Sequence, residues 1–294
     1  MSAIIINKFS QLIVANLLVL ISFSAISVDI VRWNHGKDIN EQRRSYKEMV
    51  LTRALELTKP MYGEYQFFES SKHLVIKRAM HEVISGEKIN IFMAITSNKW
   101  EENTLPIRIP IRRGLLNYRL LATTDDKLST FADLNYQSIK NKKAGLRRDW
   151  ATLDSFKKLE FNYLTATALT GLYKMLSFGR VDYIPRGIND IFGEISKLSI
   201  EHKNLAVEPL SILYLQAPYY IFVSPKAPRL AKRLEAGLEM MVKDQSLKGL
   251  FYQYYKTSID KARISERKVI HLNNPNLPPK TPLKRKELWF EYDK

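Results

Sequence analysis

Apolar and polar positions along the first third of the chain alternate in blocks that predict strands separated by amphipathic helices. From Gln42 the apolar positions keep helical spacing until Pro60, which ends the pattern. The predicted elements are a strand at 29–33, a helix at 42–59, a strand at 65–68, a helix at 72–84 that ends at Gly86, and a strand at 89–95. This β-α-β-α-β order predicts a parallel sheet with crossover connections.

Polar residues follow each of these strands, and ligands of open parallel sheets bind beyond such strand ends. The groups are Trp33-Asn34-His35, Glu69-Ser70-Ser71 and Thr96-Ser97-Asn98. Ser70 and Ser71 are equally well explained as caps of the following helix, so their role stays open. Trp33, Thr96 and Ser97 are expected to face a ligand.

A helix-to-strand corner is predicted in the middle of the chain. A helix at 167–178 stops at Gly179, and an apolar strand at 181–184 leads into Pro185-Arg186-Gly187. The ring of Pro185 fixes its φ and limits where Arg186 points, so we expect Arg186 to reach a cleft. The alternative is a structural ion pair of Arg186 with Asp182 or Asp190.

The other predicted elements flank this corner. They are a helix at 128–134, a strand at 139–146, a turn at 147–152 that opens a helix, return strands at 206–213 and 218–223, and closing helices at 227–244 and 247–255. A strand at 115–123 precedes them.

The helix, Gly-Arg-x-Asp and strand at 167–186 resemble the second lobe of type II periplasmic solute-binding proteins. Thr96–Glu101 falls where family 3 of that group carries a Thr-x-x-Arg element, and residues 107–114 fall at its Phe-Ser-x-Pro-Tyr segment. The resemblance covers about residues 29–255. It implies an α/β, two-lobed periplasmic-binding-protein-like type II fold, with two hinge crossings and a ligand between the lobes.

The resemblance also divides the chain. Lobe 1 is expected to comprise residues 28–122 plus 221–260, and lobe 2 residues 123–220. Residues 261–294 contain four prolines between Asn273 and Pro282 and the basic run 284–286. They predict an extended, mobile, basic Pro-rich tail, which Leu288-Trp289-Phe290 would be able to dock back.

Departures from the family pattern change the expected ligand. Trp100 and its neighbours supply no arginine where amino-acid binders hold the ligand carboxylate; Arg112 can substitute, and the alternative for it is a solvated strand edge. Arg147 and Arg148 precede a helix N-terminus, which suits an anion. Arg186 stands where such binders often place an acid, so an anionic or polar solute is expected. The predicted ligand-binding residues are Trp33, Thr96, Ser97, Trp100, Arg112, Arg147, Arg148 and Arg186.

The N-terminus predicts export. Lys8 precedes an apolar run from Leu12 to Ile21, and Ala25-Ile26-Ser27 offers small residues for a signal peptidase. The alternative is a retained anchor, but the run falls short of the ~20 residues that span a bilayer. We therefore expect residues 1–27 to be a cleaved signal peptide and the protein to be periplasmic. The chain has no cysteine, hence no lipid attachment through an N-terminal cysteine and no disulfide.

The chain is strongly basic, with a net charge of +16. Such a charge suits nucleic acid, but the lysines and arginines are spread over the chain and no nucleic-acid-binding motif accompanies them. We therefore expect no nucleic-acid partner, and instead attraction to an acidic ligand or to the anionic cell envelope.

Motifs of catalysis are missing from the sequence. Its five histidines show no i,i+4 pairing, and neither Gly-x-Ser-x-Gly nor His-Glu-x-x-His occurs. We expect no catalytic residue, metal or cofactor, and a monomeric binding protein that takes a small-molecule solute to a membrane transporter or receptor. The alternatives are an envelope-binding module on the same fold and a cleft enzyme such as a dehydratase.

Overall fold

The computed structural model describes residues 28–34, 41–70 and 74–291. The predicted signal peptide, His35 and Ser71 lie outside the described residues. Within the described ranges, no helix is both long and apolar enough to cross a bilayer.

The strands are numbered in chain order. They are β1 Asp29–Trp33, β2 Tyr65–Glu69, β3 Ile91–Ile95, β4 Leu105–Ile107, β5 Tyr118–Thr124, β6 Ala144–Arg147, β7 Tyr163–Ala166, β8 Ile184–Gly187, β9 Leu205–Val207, β10 Ser211–Leu215, β11 Tyr219–Val223 and β12 Lys268–Leu272.

The α-helices follow the same convention. They are α1 Glu41–Leu57, α2 Lys59–Tyr62, α3 Ile76–Ser85, α4 Asn98–Asn103, α5 Tyr136–Asn141, α6 Leu153–Lys158, α7 Leu169–Ser177, α8 Ile188–Leu198, α9 Pro228–Lys243 and α10 Ser246–Ala262. Short 3-10 turns lie at Leu115–Asn117, Asp125–Phe131, Ile264–Glu266 and Lys286–Leu288.

The first lobe is built on two small groups of strands joined by one asparagine. β1 pairs with β2 in parallel, and β11 pairs antiparallel with β3 and β4. Asn90 joins the groups, because its side chain accepts from the Arg32 N–H at 2.8 Å and donates to the Ile30 carbonyl at 2.6 Å. A polar side chain thus replaces part of a backbone ladder at the start of β3.

The second lobe is built around β5. This strand pairs antiparallel with β8 along one edge and with β9 and β10 along the other, and β12 extends the sheet beyond β10. β6 and β7 form a parallel pair that joins the sheet where the Gly145 N–H donates to the Tyr183 carbonyl at 2.7 Å.

Two segments connect the lobes in the stretch from β4 to β11, and the C-terminal segment described below passes between the lobes again. The chain leaves the first lobe after β4 through residues 108–117 and returns through residues 216–218 before β11. The prediction of two α/β lobes with two crossings is therefore confirmed. The lobe boundaries at 122/123 and 220/221 stay predictions; β5, which spans the first of them, hydrogen-bonds to strands of the second lobe.

Several local predictions need correction. Ile139 lies in α5 and not in a strand, because Asn135 and Ser138 form a capping box that starts a helix there. The predicted helix at 128–134 is a 3-10 turn. The strand of the central corner is β8 at 184–187 and not 181–184, so Arg186 is inside a strand paired with β5.

A buried arginine organises the first lobe. Arg233 on α9 is fully buried, and its guanidinium donates to Asp29 at 2.9 Å, to Thr58, and to the carbonyls of Leu55, Gly63 and Glu64. All five of its N–H donors are thereby used, as a buried charge requires. These hydrogen bonds link α9 to β1, to the C-terminal end of α1 and to the loop before β2.

A glycine allows α9 to lie directly on α1. A Cβ at Gly237 would lie 2.3 Å from the carbonyl oxygen of Ala54, so only glycine fits at this contact. The close approach brings the apolar faces of the two helices together in the core, where Val50, Leu234 and Leu238 are fully buried.

The C-terminal segment is packed against the lobes as far as Glu291, and it is not the extended tail that the sequence predicted. β12 adds an edge strand to the second lobe, and Asn274 donates to the Gln216 carbonyl in the return crossing at 2.6 Å. Arg285 then makes a bidentate contact with Glu239 on α9, at 2.6 and 2.8 Å. The segment thus touches both lobes.

The end of this segment, residues 287–290, docks onto the first crossing, as the apolar run Leu288-Trp289-Phe290 suggested. The Arg113 guanidinium donates to the carbonyls of Glu287 and Trp289, each at 2.8 Å, and the Phe290 N–H donates back to the Arg113 carbonyl. Phe290 packs on Phe251, with ring centroids 5.7 Å apart.

We predict that Arg233→Met lowers the free energy of unfolding by about 3 to 5 kcal/mol, because the substitution leaves the buried Asp29 with only the partly exposed Arg229 and removes the donor to the carbonyls of Leu55, Gly63 and Glu64. Lys232→Met, on the exposed neighbour in the same helix, is the matched control and should change it by less than about 0.5 kcal/mol. Denaturant titration measures both. If the two substitutions change the free energy of unfolding equally, Arg233 does not organise the first lobe.

We also predict that Phe290→Ala lowers the free energy of unfolding by about 3 kcal/mol, as expected for a buried aromatic side chain. Leu283→Ala, at a position that is 44% exposed, should cost less than about 1 kcal/mol. If Phe290→Ala has no effect on the denaturation midpoint, the segment is not docked in solution.

Candidate functional site

The two lobes meet at a seam where α8 of the second lobe packs against α10 of the first. Arg43 on α1 reaches across the seam and pairs with Asp190 on α8 at 2.9 Å. One apolar cluster also runs through both lobes and includes Tyr46 and Ile191. The ligand site expected between the lobes must therefore involve this seam.

Arg186 lies at the seam and is engaged by its own lobe. Its guanidinium makes a bidentate contact with Glu194 on α8 and lies 3.7 Å from Asp190. The Trp150 ring covers it at 4.6 Å. Burial opposes the charge of Arg186, but the hydrogen bonds and charge of Glu194 outweigh burial and raise its pKa above the ordinary value.

Arg119, the second residue of β5, has no such partner. Its Nε and Nη2 atoms are buried and make no hydrogen bond, and no ion pair compensates its charge. Burial, together with the charge of Arg186, lowers the pKa of Arg119 to about 10, and Asp190 offsets this only in part. At neutral pH the guanidinium stays charged, so the fold maintains a partly desolvated cation that forms no ion pair with any residue described by the structure.

The first crossing and α10 supply the other wall of the seam. Arg112 is buried and lies over the Tyr219 ring at 4.4 Å and over Tyr255 at 6.0 Å. The Tyr255 hydroxyl is buried without a hydrogen-bond partner, and burial raises its pKa to about 12. This hydroxyl keeps its proton at neutral pH and is available as a donor.

Gly187 lies beside Arg119 at a position that is crowded by neighbouring polar atoms. A Cβ at Gly187 would lie 3.6 Å from Nη1 of Arg119, 3.0 Å from Oδ1 of Asn189 and 3.2 Å from Oδ2 of Asp190. That Oδ1 of Asn189 is buried and accepts no hydrogen bond. Gly187 therefore sits where a free guanidinium, a free acceptor and the first turn of α8 converge.

We call these charged residues the seam cluster. It consists of Arg43, Arg112, Arg119, Arg186, Asp190 and Glu194. Arginines outnumber carboxylates in it, so its net charge is positive. A positive, partly desolvated cluster with an unpaired guanidinium has the charge and the donors that suit an anion.

The predicted residues of the first lobe do not share this seam environment. Trp33 is 1% exposed and packs on Phe67. Trp100 is 2% exposed and is stacked between Phe92 and Phe222, at 5.8 and 4.8 Å. Packing accounts for the position of both indoles, so their contact with a ligand stays a prediction.

Thr96 and Ser97 have local partners. Thr96 donates its hydroxyl to Glu101 at 2.9 Å, and its N–H donates to the Pro218 carbonyl of the return crossing. Ser97 is the N-cap of α4 and accepts from the Trp100 N–H. These hydrogen bonds place both residues beside a crossing, and a ligand contact by either one stays a prediction.

Arg147 and Arg148 lie in the turn after β6. Arg147 pairs with Asp149, a half-buried cation with an exposed anion, and Arg148 is exposed. They flank Trp150, which covers Arg186, so the turn belongs to the edge of the seam. Of the predicted site residues, the structure brings Arg112 and Arg186 into the seam cluster.

Sequence analysis missed Arg119, Arg43 and the free acceptor on Asn189. Arg119 left a signal, because it is the one charged residue in the otherwise apolar and hydroxyl-bearing strand Tyr118–Thr124. A cation inside a central strand has to be paired or functional. Arg43 left none, since an arginine in the first turns of a polar helix face is usually solvated.

A separate open groove of about 510 Å³ lies at the end of α10 and includes Ile259, Ile264 and Phe290 in its lining. Its charges are compensated, because Lys256 pairs with Asp260 and Arg263 with Glu266. It shares no residue with the seam cluster. The unpaired charge therefore places the candidate site at the seam.

Comparison with known proteins identifies the fold. No family profile and no curated protein matches the chain. Among solved structures, it is similar to a protein of glutathione import through GshT and the cystine importer TcyBC of Streptococcus mutans, with 13% identity and a TM-score of 0.56. That alignment covers 78% of this chain and 96% of the other.

Two further structures agree. The probable amino-acid ABC transporter extracellular-binding protein YtmK of Bacillus subtilis shows 13% identity and a TM-score of 0.55, over 78% of this chain and 98% of its own. A histidine kinase sensor domain with similarity to periplasmic binding proteins shows 13% identity and a TM-score of 0.51, over 77% and 95%. Identities this low establish the fold alone, which is that of type II periplasmic binding proteins, as predicted.

We predict that Arg119→Met raises the free energy of unfolding of the ligand-free protein by about 1 to 3 kcal/mol, because the substitution removes a desolvated, unpaired charge. The gain should be constant between pH 6 and 9. Arg119 is protonated in both states below a pKa of about 10, and the penalty on the folded state is relieved only above it.

Denaturant titration of Arg119→Met measures this gain, and Arg180→Met, on an exposed arginine of the same lobe, is the control with an expected change of less than about 0.5 kcal/mol. A loss of stability in Arg119→Met would mean that the guanidinium is paired in solution.

Proposed function

We propose that this chain is a periplasmic solute-binding protein that captures a small anion between its two lobes. The observation that carries the proposal is the unpaired, buried guanidinium of Arg119 at the seam. A buried charge without a partner lowers the free energy of unfolding. Proteins usually retain such a charge at a functional site.

Capture of a solute fits the architecture. Lobes joined by two crossings open and close about them, and a ligand that touches both lobes stabilises the closed form. The Arg43–Asp190 pair already bridges the lobes. An anion held by Arg119 in the second lobe and by the Tyr255 hydroxyl or Arg112 on the other wall would add to that bridge.

Delivery of the solute to a membrane transporter, or signalling through a membrane receptor, completes the proposal. The similar structures include a transporter's extracellular-binding protein and a sensor domain, so the fold serves both uses. The similar structures reported above are binding proteins, which supports a non-enzymatic role for this chain. The predicted signal peptide supports a periplasmic location.

A second candidate function follows from the net charge of +16. A chain this basic would adhere to an anionic envelope polymer through its surface, without any small solute. This function would leave the unpaired Arg119 unexplained, because a buried guanidinium does not reach a polymer.

A thermal-shift screen of the purified protein against small anions tests the proposal. We predict that at least one anion raises the melting temperature in proportion to the logarithm of its concentration. Arg119→Met should weaken its binding by about 10- to 100-fold, the loss expected for a charge-assisted contact, whereas Arg180→Met should not change it.

If no anion shifts the melting temperature and the protein is retained on envelope fractions, the second candidate replaces the first. If Arg119→Met binds the anion as tightly as the unsubstituted protein, the solute lies elsewhere than at the seam.

A further inference from the structure

We infer that the solute is a carboxylic acid that bears no ammonium group, such as a hydroxy acid, and is not an amino acid. This inference rests on the proposed function and assigns the ligand class of the same site. It follows from which hydrogen-bonding groups of the seam are already used and which are free.

Both carboxylates of the seam cluster are already paired with arginines. Asp190 accepts from the Asn189 amide at 3.0 Å and pairs with Arg43 at 2.9 Å through Oδ1, and its Oδ2 lies 3.7 Å from Arg186. Glu194 accepts both ends of the Arg186 guanidinium and the Tyr173 hydroxyl at 2.9 Å. An ammonium would therefore compete with an arginine for either of these two carboxylates.

An ammonium would also meet repulsion. It would join a group in which arginines already outnumber carboxylates, in surroundings that are desolvated enough to lower the pKa of Arg119 to about 10. Like charges interact more strongly in such surroundings than in water. The half of an amino acid that carries the positive charge is therefore unfavourable at the seam.

The free groups suit a carboxylate. The guanidinium of Arg119 presents unpartnered Nε and Nη2 donors, and a planar fork of this kind holds a carboxylate through two parallel hydrogen bonds. The Tyr255 hydroxyl offers a further unpartnered donor, which its raised pKa keeps protonated.

The remaining free group suits an uncharged donor. Oδ1 of Asn189 is buried and unpartnered, and a ligand hydroxyl would satisfy it without adding charge. Gly187 lies directly against this oxygen, since a Cβ there would lie 3.0 Å from it, 3.2 Å from Oδ2 of Asp190 and 3.6 Å from Nη1 of Arg119. A carboxylate beside a hydroxyl matches this pair of free groups.

Calorimetric titration with matched acids tests the inference. The pairs are lactate and alanine, malate and aspartate, and 2-hydroxyglutarate and glutamate, which differ by a hydroxyl in place of the ammonium; inorganic phosphate is a further probe. In the pair whose size fits, the hydroxy acid should bind at least about tenfold more tightly, a difference of about 1.4 kcal/mol. Arg119→Met should lose this binding, and Arg180→Met should retain it.

Other outcomes separate the inference from the function beneath it. Equal or tighter binding of the amino member of a pair would overturn the inference and leave anion capture standing, as would binding of phosphate alone. If neither the acids of either kind nor phosphate nor any anion of the thermal-shift screen binds, the proposed function falls together with the inference.

Gly187→Ala gives an independent check, because its methyl group would crowd Oδ1 of Asn189, 3.0 Å away, without altering any charge. Acid affinity should fall about tenfold or more while the melting temperature of the ligand-free protein identifies any loss of folding. Unchanged affinity in a folded Gly187→Ala protein would overturn the placement of the acid next to Gly187.

Discussion

The buried contact between Arg233 and Asp29 is the interaction on which the first lobe depends. A buried guanidinium is tolerated only when every donor is satisfied, and Arg233 meets this condition with groups from β1, the end of α1 and the loop before β2. These elements therefore cannot shift independently of α9. Because the C-terminal end of α1 is fixed in this way, Arg43 near its other end is held where it reaches Asp190 of the second lobe.

At the seam, the charges of the arginines are not all compensated. Arg186 is satisfied by Glu194 in the same way that Arg233 is satisfied by Asp29, whereas Arg119 is buried without compensation. Two arginines on neighbouring strands, β8 and β5, thus have opposite energetic roles. Arg186 makes a compensated contact within the second lobe, and Arg119 retains unpartnered donors that add nothing to the stability of the fold.

The C-terminal segment restricts how far the two lobes can rotate about the crossings. It pairs with the second lobe through β12, contacts the return crossing through Asn274 and the first crossing through Arg113, and reaches α9 through Arg285. Two crossings alone leave the lobes free to rotate about them. A third connection that contacts both lowers the range of opening, because rotation would break its hydrogen bonds.

The resemblance at residues 167–186 predicted the two-lobed architecture, and the sequence by itself determined the order of most strands and helices through apolar spacing and turn signals. Those signals are local: the helical spacing before Pro60, the stop at Gly86, and the apolar strands at 29–33 and 91–95. It also singled out Arg112 and Arg186, whose contact with a ligand stays a prediction. Only the tertiary structure decided which arginine is neutralised. Arg186 finds Glu194 on the next helix, while Asp190, the carboxylate nearest to Arg119, is taken by Arg43 from the opposite lobe. The charge that remains free depends on contacts between residues far apart in the chain, and no local pattern records those contacts.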